Sequence, residues 1–231
     1  MIKINDSEKL NHYVAKYDID KLFDEDAKTF IELLFFKKNE YICRQDEPIH
    51  YLFFFVEGKA KIFTTQGNGK SLLLSFYQEF KVLGDLEIIN FEVATANVQA
   101  IEDTYCLGIP VEQVRTYLFN NVKLLRFICQ SLGEKLNRCT KNSSVNLLYP
   151  LENRLASYML ATAPKEELNG ENIIKLNENL TEVSELLGTS YRHLLRTLDN
   201  LCSKNIIKKK GHGFEVLDER ALKKLAENVY K

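Results

Sequence analysis

Val122, Leu125, Cys129, Leu132, Leu136, Cys139, Ser143 and Asn146 follow one another at steps of three, four, three, four, three, four and three. The mean of about 3.5 is the repeat of a coiled-coil seam, narrower than the stripe of a helix lying on a globular core. The rest of the stretch is mostly polar or charged (Lys123, Arg126, Gln130, Glu134, Lys135, Asn137, Arg138, Lys141), with Phe127 and Ile128 widening its upper part. A seam this long needs a partner helix, and the sequence holds no second heptad run. Two copies of the same helix are the economical answer, so the pattern predicts a homodimer. The competing arrangement packs the seam on the chain's own core.

Upstream of this helix the apolar period is two. Tyr41–Cys43, Tyr51–Val56, Lys59–Phe63, Ser71–Phe76, Ala94–Ala100 and Thr104–Ile109 read as short strands rich in β-branched and aromatic residues. Gln66-Gly67-Asn68-Gly69 and Glu57-Gly58 mark turns, because Gly and Asn accept the positive φ of tight hairpins. Many short strands with no intervening helix predict a small antiparallel barrel or sandwich. Residues 7–36 carry helical spacing instead, at Leu10, Val14, Tyr17, Phe23, Ala27, Phe30, Ile31 and Leu34.

Downstream, Pro150 ends the long helix and opens a segment of short ones. Leu151–Leu160 is a short amphipathic helix, and 163–171 is a polar connection. Thr181–Leu187 and Ser190–Cys202 read as two helices meeting at Gly188, with Thr181 and Ser190 placed to cap them. Val183, Leu186, Leu187, Leu194, Leu195 and Leu198 would pack the pair, leaving Tyr191, Arg192, His193 and Arg196 outward. That is a helix-turn-helix, whose second helix enters the major groove by these positions. Lys208-Lys209-Lys210, then Gly211-His212-Gly213 and a strand at Phe214–Leu217, fit the hairpin wing of a winged helix, placed for phosphate contact.

Charge sharpens this picture. The whole chain of 231 residues has 31 Lys and Arg against 32 Asp and Glu, so bulk attraction to nucleic acid is excluded. Between 181 and 213, six cations face three acids, a local +3. A chain 45% hydrophobic and 27% charged can bury a core. No apolar run approaches the ~20 residues of a membrane span, and Met1–Asp6 lacks the apolar stretch of a signal peptide. The five cysteines, at 43, 106, 129, 139 and 202, form no disulfide framework. The expectation is a cytoplasmic protein with reduced thiols and no membrane partner. Cys43, Cys106 and Cys202 are expected as small core side chains, whereas the heptad places Cys129 and Cys139 on the seam. His12, His50, His193 and His212 show no ligand spacing, so no metal site or cofactor is expected. Nor does a nucleophile–base pair or nucleotide-hydrolase loop point to an enzyme.

Three motifs resemble the Crp/Fnr family of bacterial transcription regulators. Asn39–Pro48 followed by Leu52–Gly58 is similar to that family's opening barrel strands. Gly84-Asp85-Leu86 with Ala94–Ala100 is similar to its phosphate-binding cassette, and Leu151–Ala156 with Leu187–Ser190 to its DNA-binding domain. Within the family, Gly188–Arg196 most resembles the YeiL-type regulators. The resemblance implies an α+β chain with three parts. N-terminal helices and an antiparallel, jelly-roll, cyclic-nucleotide-binding-like effector barrel occupy 1–110, with no family motif in residues 1–30; a dimerisation helix occupies 111–148 and a winged helix-turn-helix 149–231.

The implied function is sequence-specific binding of a homodimer to a palindromic double-stranded DNA operator, with RNA polymerase a partner if the output is activation. DNA-contact candidates are Ser190, Tyr191, Arg192, His193, Arg196, Lys208, Lys209 and Lys210. Effector-pocket candidates are Gly84, Asp85, Leu86, Thr95, Cys139 and Thr140. Cyclic-AMP receptors carry an Arg–Ser pair in the cassette; here Ala94 and Thr95 stand in its place, so the cation that would hold a cyclic phosphate is missing. The resemblance therefore implies a barrel that keeps its shape with an unidentified small effector other than cyclic AMP or with none, or one that answers a redox signal. The family's recognition helix usually opens Arg-Glu-x-x-x-Arg; Tyr191 and Arg192 replace the first two and Arg196 keeps the last. No cysteine precedes Cys43, which departs from the iron–sulfur oxygen sensors. An alternative function is a ligand- or partner-binding barrel whose helix-turn-helix serves protein association.

Overall fold

The computed structural model describes residues 1–22, 29–78, 80–118, 120–163, 173–174, 179–211 and 213–226, with backbone alone at 117–118, 141–147 and 173–174. Phe23, Ala27, His212, most of the polar connection and the seam side chains of Ser143 and Asn146 lie outside the described residues. Contacts divide the chain into two units, one made of Met1–Thr64 and Phe76–Arg138, the other of Thr65–Ser75 and Cys139–Lys231.

In chain order the elements begin β1 (Ile2–Ile4), α1 (Ser7–Lys16), a 3-10 turn at Ile19–Leu22, β2 (Glu32–Phe36) and β3 (Tyr41–Cys43). There follow β4 (Tyr51–Glu57), β5 (Ala60–Thr65), β6 (Ser71–Tyr77), β7 (Lys81–Leu83), α2 (Asp85–Asn90), β8 (Asn97–Ala100) and β9 (Thr104–Pro110). A single turn α3 (Val111–Gln113) and a π-turn at Val114–Leu118 lead into α4 (Val122–Leu148). The remainder is α5 (Leu151–Thr162), β10 (Ile173–Ile174), α6 (Leu180–Leu186), α7 (Tyr191–Ser203), β11 (Ile207–Lys210), β12 (Gly213–Val216) and α8 (Glu219–Leu225). Among the described residues the barrel is two sheets, ordered β1-β2-β9-β4-β7 and β3-β8-β5-β6, and every pairing recorded between their strands is antiparallel.

Strand β4 explains the architecture. Its run Leu52-Phe53-Phe54-Phe55-Val56 is apolar at every position because both of its faces are covered. Leu52, Phe54 and Val56 join a core with α1, the 3-10 turn and the start of α4. On the other face, Phe55 meets Tyr77 of the second sheet edge-on at 6.1 Å. Burying each such side chain is worth about 1.5–3 kcal/mol, so this strand anchors two cores at once. Helix α1 is capped by Asp6, which accepts from the Lys9 N–H at 2.9 Å. It is pinned by Tyr13, buried and donating to Glu57, and by Tyr17, which follows the helix and donates to the Val56 carbonyl at 2.9 Å.

Two expectations need correction. Among the described residues of the span 7–36, the α-helix ends at Lys16 and a 3-10 turn follows it, while Leu34 lies in β2, paired with Cys106 of β9. Leu33 and Leu34 are buried on opposite faces, and a strand buried on both sides mimics one turn of helical spacing. The strands are also interrupted by a helix. α2 intervenes after β7, and the strand expected from Ala94 starts at Asn97. Ala94 instead donates its N–H to the Glu47 carbonyl at 2.9 Å, outside any ladder.

Cys43 and Cys106 are buried, as small core side chains should be, while Cys202 is half-buried. Burial pushes the Cys43 thiol up to about 12, helped by the Glu87 carboxylate, and holds Cys106 well above the ordinary thiol range. Both native values lie above the unfolded one, so the contribution to stability is complete below about pH 8.5. It is lost as pH rises toward the native value of about 12 at Cys43. Urea unfolding at increasing alkaline pH should therefore show falling stability, with a shallower fall in Cys43→Ala despite its lower starting point. An unchanged slope would refute the assignment.

Candidate functional site

Three consecutive polar side chains on α5 organise the carboxy-terminal unit. Glu152 pairs with Lys204 at 2.7 Å, Asn153 donates to the Leu225 carbonyl at 2.9 Å, and Arg154 donates to the Leu187 carbonyl. Each reaches a different element: the end of α7, the end of α8 and the end of α6. Leu151, Leu155 and Ala156 on the same helix are buried. The sequence marked this run only as a motif; its bonds make it a brace.

On that frame sits the helix pair. Asn179, not Thr181, caps α6: its side chain accepts from the Glu182 N–H at 2.9 Å and donates to the Glu182 carboxylate at 3.1 Å. Thr181 is already helical, and an amide reaches both groups where a hydroxyl would not. Gly188 turns the chain at φ +60°, donating its N–H to the Glu185 carbonyl at 2.8 Å. Ser190 caps α7 as expected, accepting from the His193 N–H at 3.2 Å, and the His193 ring lies 3.2 Å from the Thr189 hydroxyl. Val183, Leu187, Leu194, Leu198 and Leu201 are buried between the helices, and Leu195 is half-buried.

Tyr191, Arg192, His193 and Arg196 are all exposed. The first turn and a half of α7 thus presents a polar, cationic surface that its own packing does not consume. β11 and β12 form the expected hairpin, with Lys208 opposite Glu215, Lys209 opposite Phe214 and Lys210 opposite Gly213. The strand period puts Lys208 and Lys210 on one face and Lys209 on the other, and all three are exposed.

In the barrel, Gly84 caps α2 at φ +85°, and an added Cβ would fall 2.8 Å from the Tyr51 carbonyl oxygen. Only glycine meets both demands. Asp85 is fully buried; it accepts from the Ser131 hydroxyl at 3.0 Å and pairs with the Lys135 ammonium, both from α4. Thr95 donates its N–H at 3.2 Å and its hydroxyl at 3.1 Å to one oxygen of Glu87. Leu86 is exposed, as are Cys139 and Thr140 on α4. Ser131, Lys135 and Glu87 were missed from sequence. A cavity of about 300 Å³ is lined by Phe36, Tyr41, Cys43, Arg44, His50 and Phe53, among others.

The seam only partly departs from the face of α4 that closes the core, because Leu132 of the heptad packs against that core. Leu124 and Ile128 are buried against the barrel, and Phe127 lies 6.1 Å from Phe54. Val122 and Leu136 are each 69% exposed, Cys129 and Cys139 are exposed, and Leu125 and Leu132 are half-buried. At Val122 and Leu136 the chain's own barrel does not cover the seam.

Residues 33–121 match the family described as cyclic nucleotide-binding domain, and residues 153–225 that described as Crp-like helix-turn-helix domain. Over 204 residues the chain is 30% identical to regulatory protein YeiL of Escherichia coli O157:H7, covering 88% of this chain and 90% of that one. The fold is shared with TTHA1359, a CRP/FNR-family transcriptional regulator of Thermus thermophilus, at TM-score 0.66 and 19% identity, over 85% and 98% of the two chains. FixK2 from Bradyrhizobium japonicum gives TM-score 0.60 at 18% identity, over 84% and 96%.

The α5 brace generates a stability prediction. Arg154→Ala removes a charged donor from the carboxy end of α6 and should cost about 1.5–3 kcal/mol in urea unfolding. Arg154→Lys should recover only part of that, because an ammonium lacks the planar fork. A loss confined to a few tenths of a kcal/mol would show that the brace is ornamental.

Proposed function

The chain belongs to the Crp/Fnr family of transcription regulators, and from that premise we propose that it binds a palindromic double-stranded DNA operator as a homodimer. The observation that carries this is the exposed amino-terminal half of α7, where Tyr191, Arg192, His193 and Arg196 stand clear of the core beside a wing bearing Lys208, Lys209 and Lys210. A helix fits the major groove, and Arg196 can fork onto guanine O6 and N7. Arg192 offers a donor where the family usually offers a carboxylate, so the operator should differ from the family's usual half-site. The lysines and the capped start of α7 supply phosphate contacts that set register.

Dimerisation is supported by the exposed seam at Val122, Cys129, Leu136 and Cys139. Apolar side chains repeating along one helix face, uncovered by their own domain, favour a second copy. Half-sites about 34–36 Å apart would then be read by the two copies of α7. In this reading 1–110 senses, 111–148 dimerises and 149–231 binds DNA, in the cytoplasm, with no enzymatic step. The effector is a small molecule other than cyclic AMP, or a redox signal, because Ala94 supplies no cation to a cyclic phosphate.

Two tests follow. Arg196→Ala should weaken a selected operator by about 1–3 kcal/mol and relax its specificity, while alanine at Lys208, Lys209 and Lys210 should weaken all sequences alike. The salt slope should flatten by about one unit for each lysine that meets a phosphate. Undiminished operator affinity in Arg196→Ala would overturn the recognition-helix assignment. Separately, Leu136→Glu should dissociate the dimer in sedimentation, and mild oxidation should cross-link wild type through Cys129 or Cys139 but not the double serine variant. A wild-type chain that sediments as a monomer would overturn the seam.

A further inference from the structure

We infer that Glu87 is a built-in anion: its carboxylate fills the oxyanion cradle of the barrel and restricts the effector to molecules that bring no phosphate or carboxylate there. The inference rests on reading the barrel as the sensing module. It concerns a residue that the motif itself does not single out.

The cradle is two donors from one residue. The Thr95 N–H and hydroxyl converge on a single oxygen of Glu87, at 3.2 and 3.1 Å. That is how a backbone amide and a side-chain hydroxyl hold an anionic oxygen, and bonds to an ionised acceptor are among the stronger ones in a protein. Thr95 cannot withdraw from this role easily, because its neighbour Ala94 is buried and bonded on both sides of its peptide to the Asp46–Glu47 turn. Glu87 is 9% exposed, whereas Thr95 is exposed, so the cradle opens to solvent on the Thr95 side and is filled from within.

Charge reinforces the exclusion. α2 carries two buried carboxylates, Asp85 and Glu87, and the Lys135 ammonium is committed to Asp85 together with the Ser131 hydroxyl. An incoming phosphate would have to displace the Glu87 carboxylate and then lie beside it, in surroundings where like charges repel more strongly than in water. An uncharged ligand faces neither penalty.

Chemical rescue tests this. Thermal unfolding of the full chain is followed with sodium acetate, inorganic phosphate or cyclic AMP, against chloride at matched ionic strength. Wild type should respond to none of them beyond chloride. Glu87→Ala should have a lower Tm, with most of the loss restored saturably by acetate or phosphate and none by chloride. Adding Thr95→Val should abolish the restoration. Glu87→Gln keeps the shape without the charge, and carries the same comparison if the alanine variant does not fold. Its amide oxygen still fills the cradle but without charge, so it should melt below wild type and show a saturable anion response weaker than that of Glu87→Ala. Variants that stay as blind to anions as wild type would overturn the inference. So would a wild-type chain that is saturably stabilised by phosphate or cyclic AMP. The readout is barrel stability, so a failure of operator binding would leave it intact, and its own failure would leave the DNA-binding proposal standing.

Discussion

Helix α4 has to close one apolar core and keep a second apolar stripe for something else. Leu124, Phe127 and Ile128 complete the core that β4 shares with α1, and without them Leu52 and Phe54 would be open to water. The stripe at Val122, Cys129 and Leu136 points away from that core. A helix with 3.6 residues per turn can serve two surfaces only if its apolar positions divide between them; here Val122 and Leu136 face outward, while Leu132 of the heptad joins the core. Its third group, Ser131 and Lys135, is polar and turned to the buried Asp85 of α2. The same helix that seals the barrel therefore also neutralises the charge inside it. A buried unpaired Asp85 would cost several kcal/mol, so the barrel and this part of α4 are folded together or not at all.

What could be read from the sequence was local. The turns at Gly58, Gly69 and Gly188 all take positive φ, because few other residues adopt that conformation, and Ser190 caps α7 where a hydroxyl three residues before an N–H must. The exposed face of α7 was legible for the same reason: alternation of buried leucines with Tyr191, Arg192, His193 and Arg196 is decided within one helix. The failures were of two kinds. β2 and the first helix share apolar spacing until tertiary cover on both faces selects a strand, and Asn179 lies two residues before an equally good capping candidate. The other kind was non-local. Asp85 finds Ser131 and Lys135 across more than forty residues of sequence, and no pattern announces it.

The departures from the family cassette are consistent with one another once the side chains are in place. Ala94 offers no cation to an incoming anion, while Thr95 beside it keeps two donors. Glu87 supplies the acceptor. With a carboxylate from inside the barrel already accepting from both Thr95 donors, a cation at position 94 would have no ligand anion to hold there. The glycine that caps α2 is retained because its constraint is steric: the Tyr51 carbonyl leaves no room for a Cβ whatever the ligand.

In the carboxy-terminal unit, the residues that brace the helices lie apart from the exposed face of α7. Glu152, Asn153 and Arg154 are committed to α7, α8 and α6, and none of them belongs to the exposed face of α7. Positions 191, 192, 193 and 196 carry no buried contact on which the fold depends, so they can change without loss of the helix pair. The departure at Arg192 from the family's usual carboxylate is the kind of substitution such a division permits, because a donor replaces an acceptor on a surface whose only structural duty is to be a helix. Such a frame lets the exposed positions of α7 vary while the packing of Val183, Leu187, Leu194 and Leu201 stays fixed.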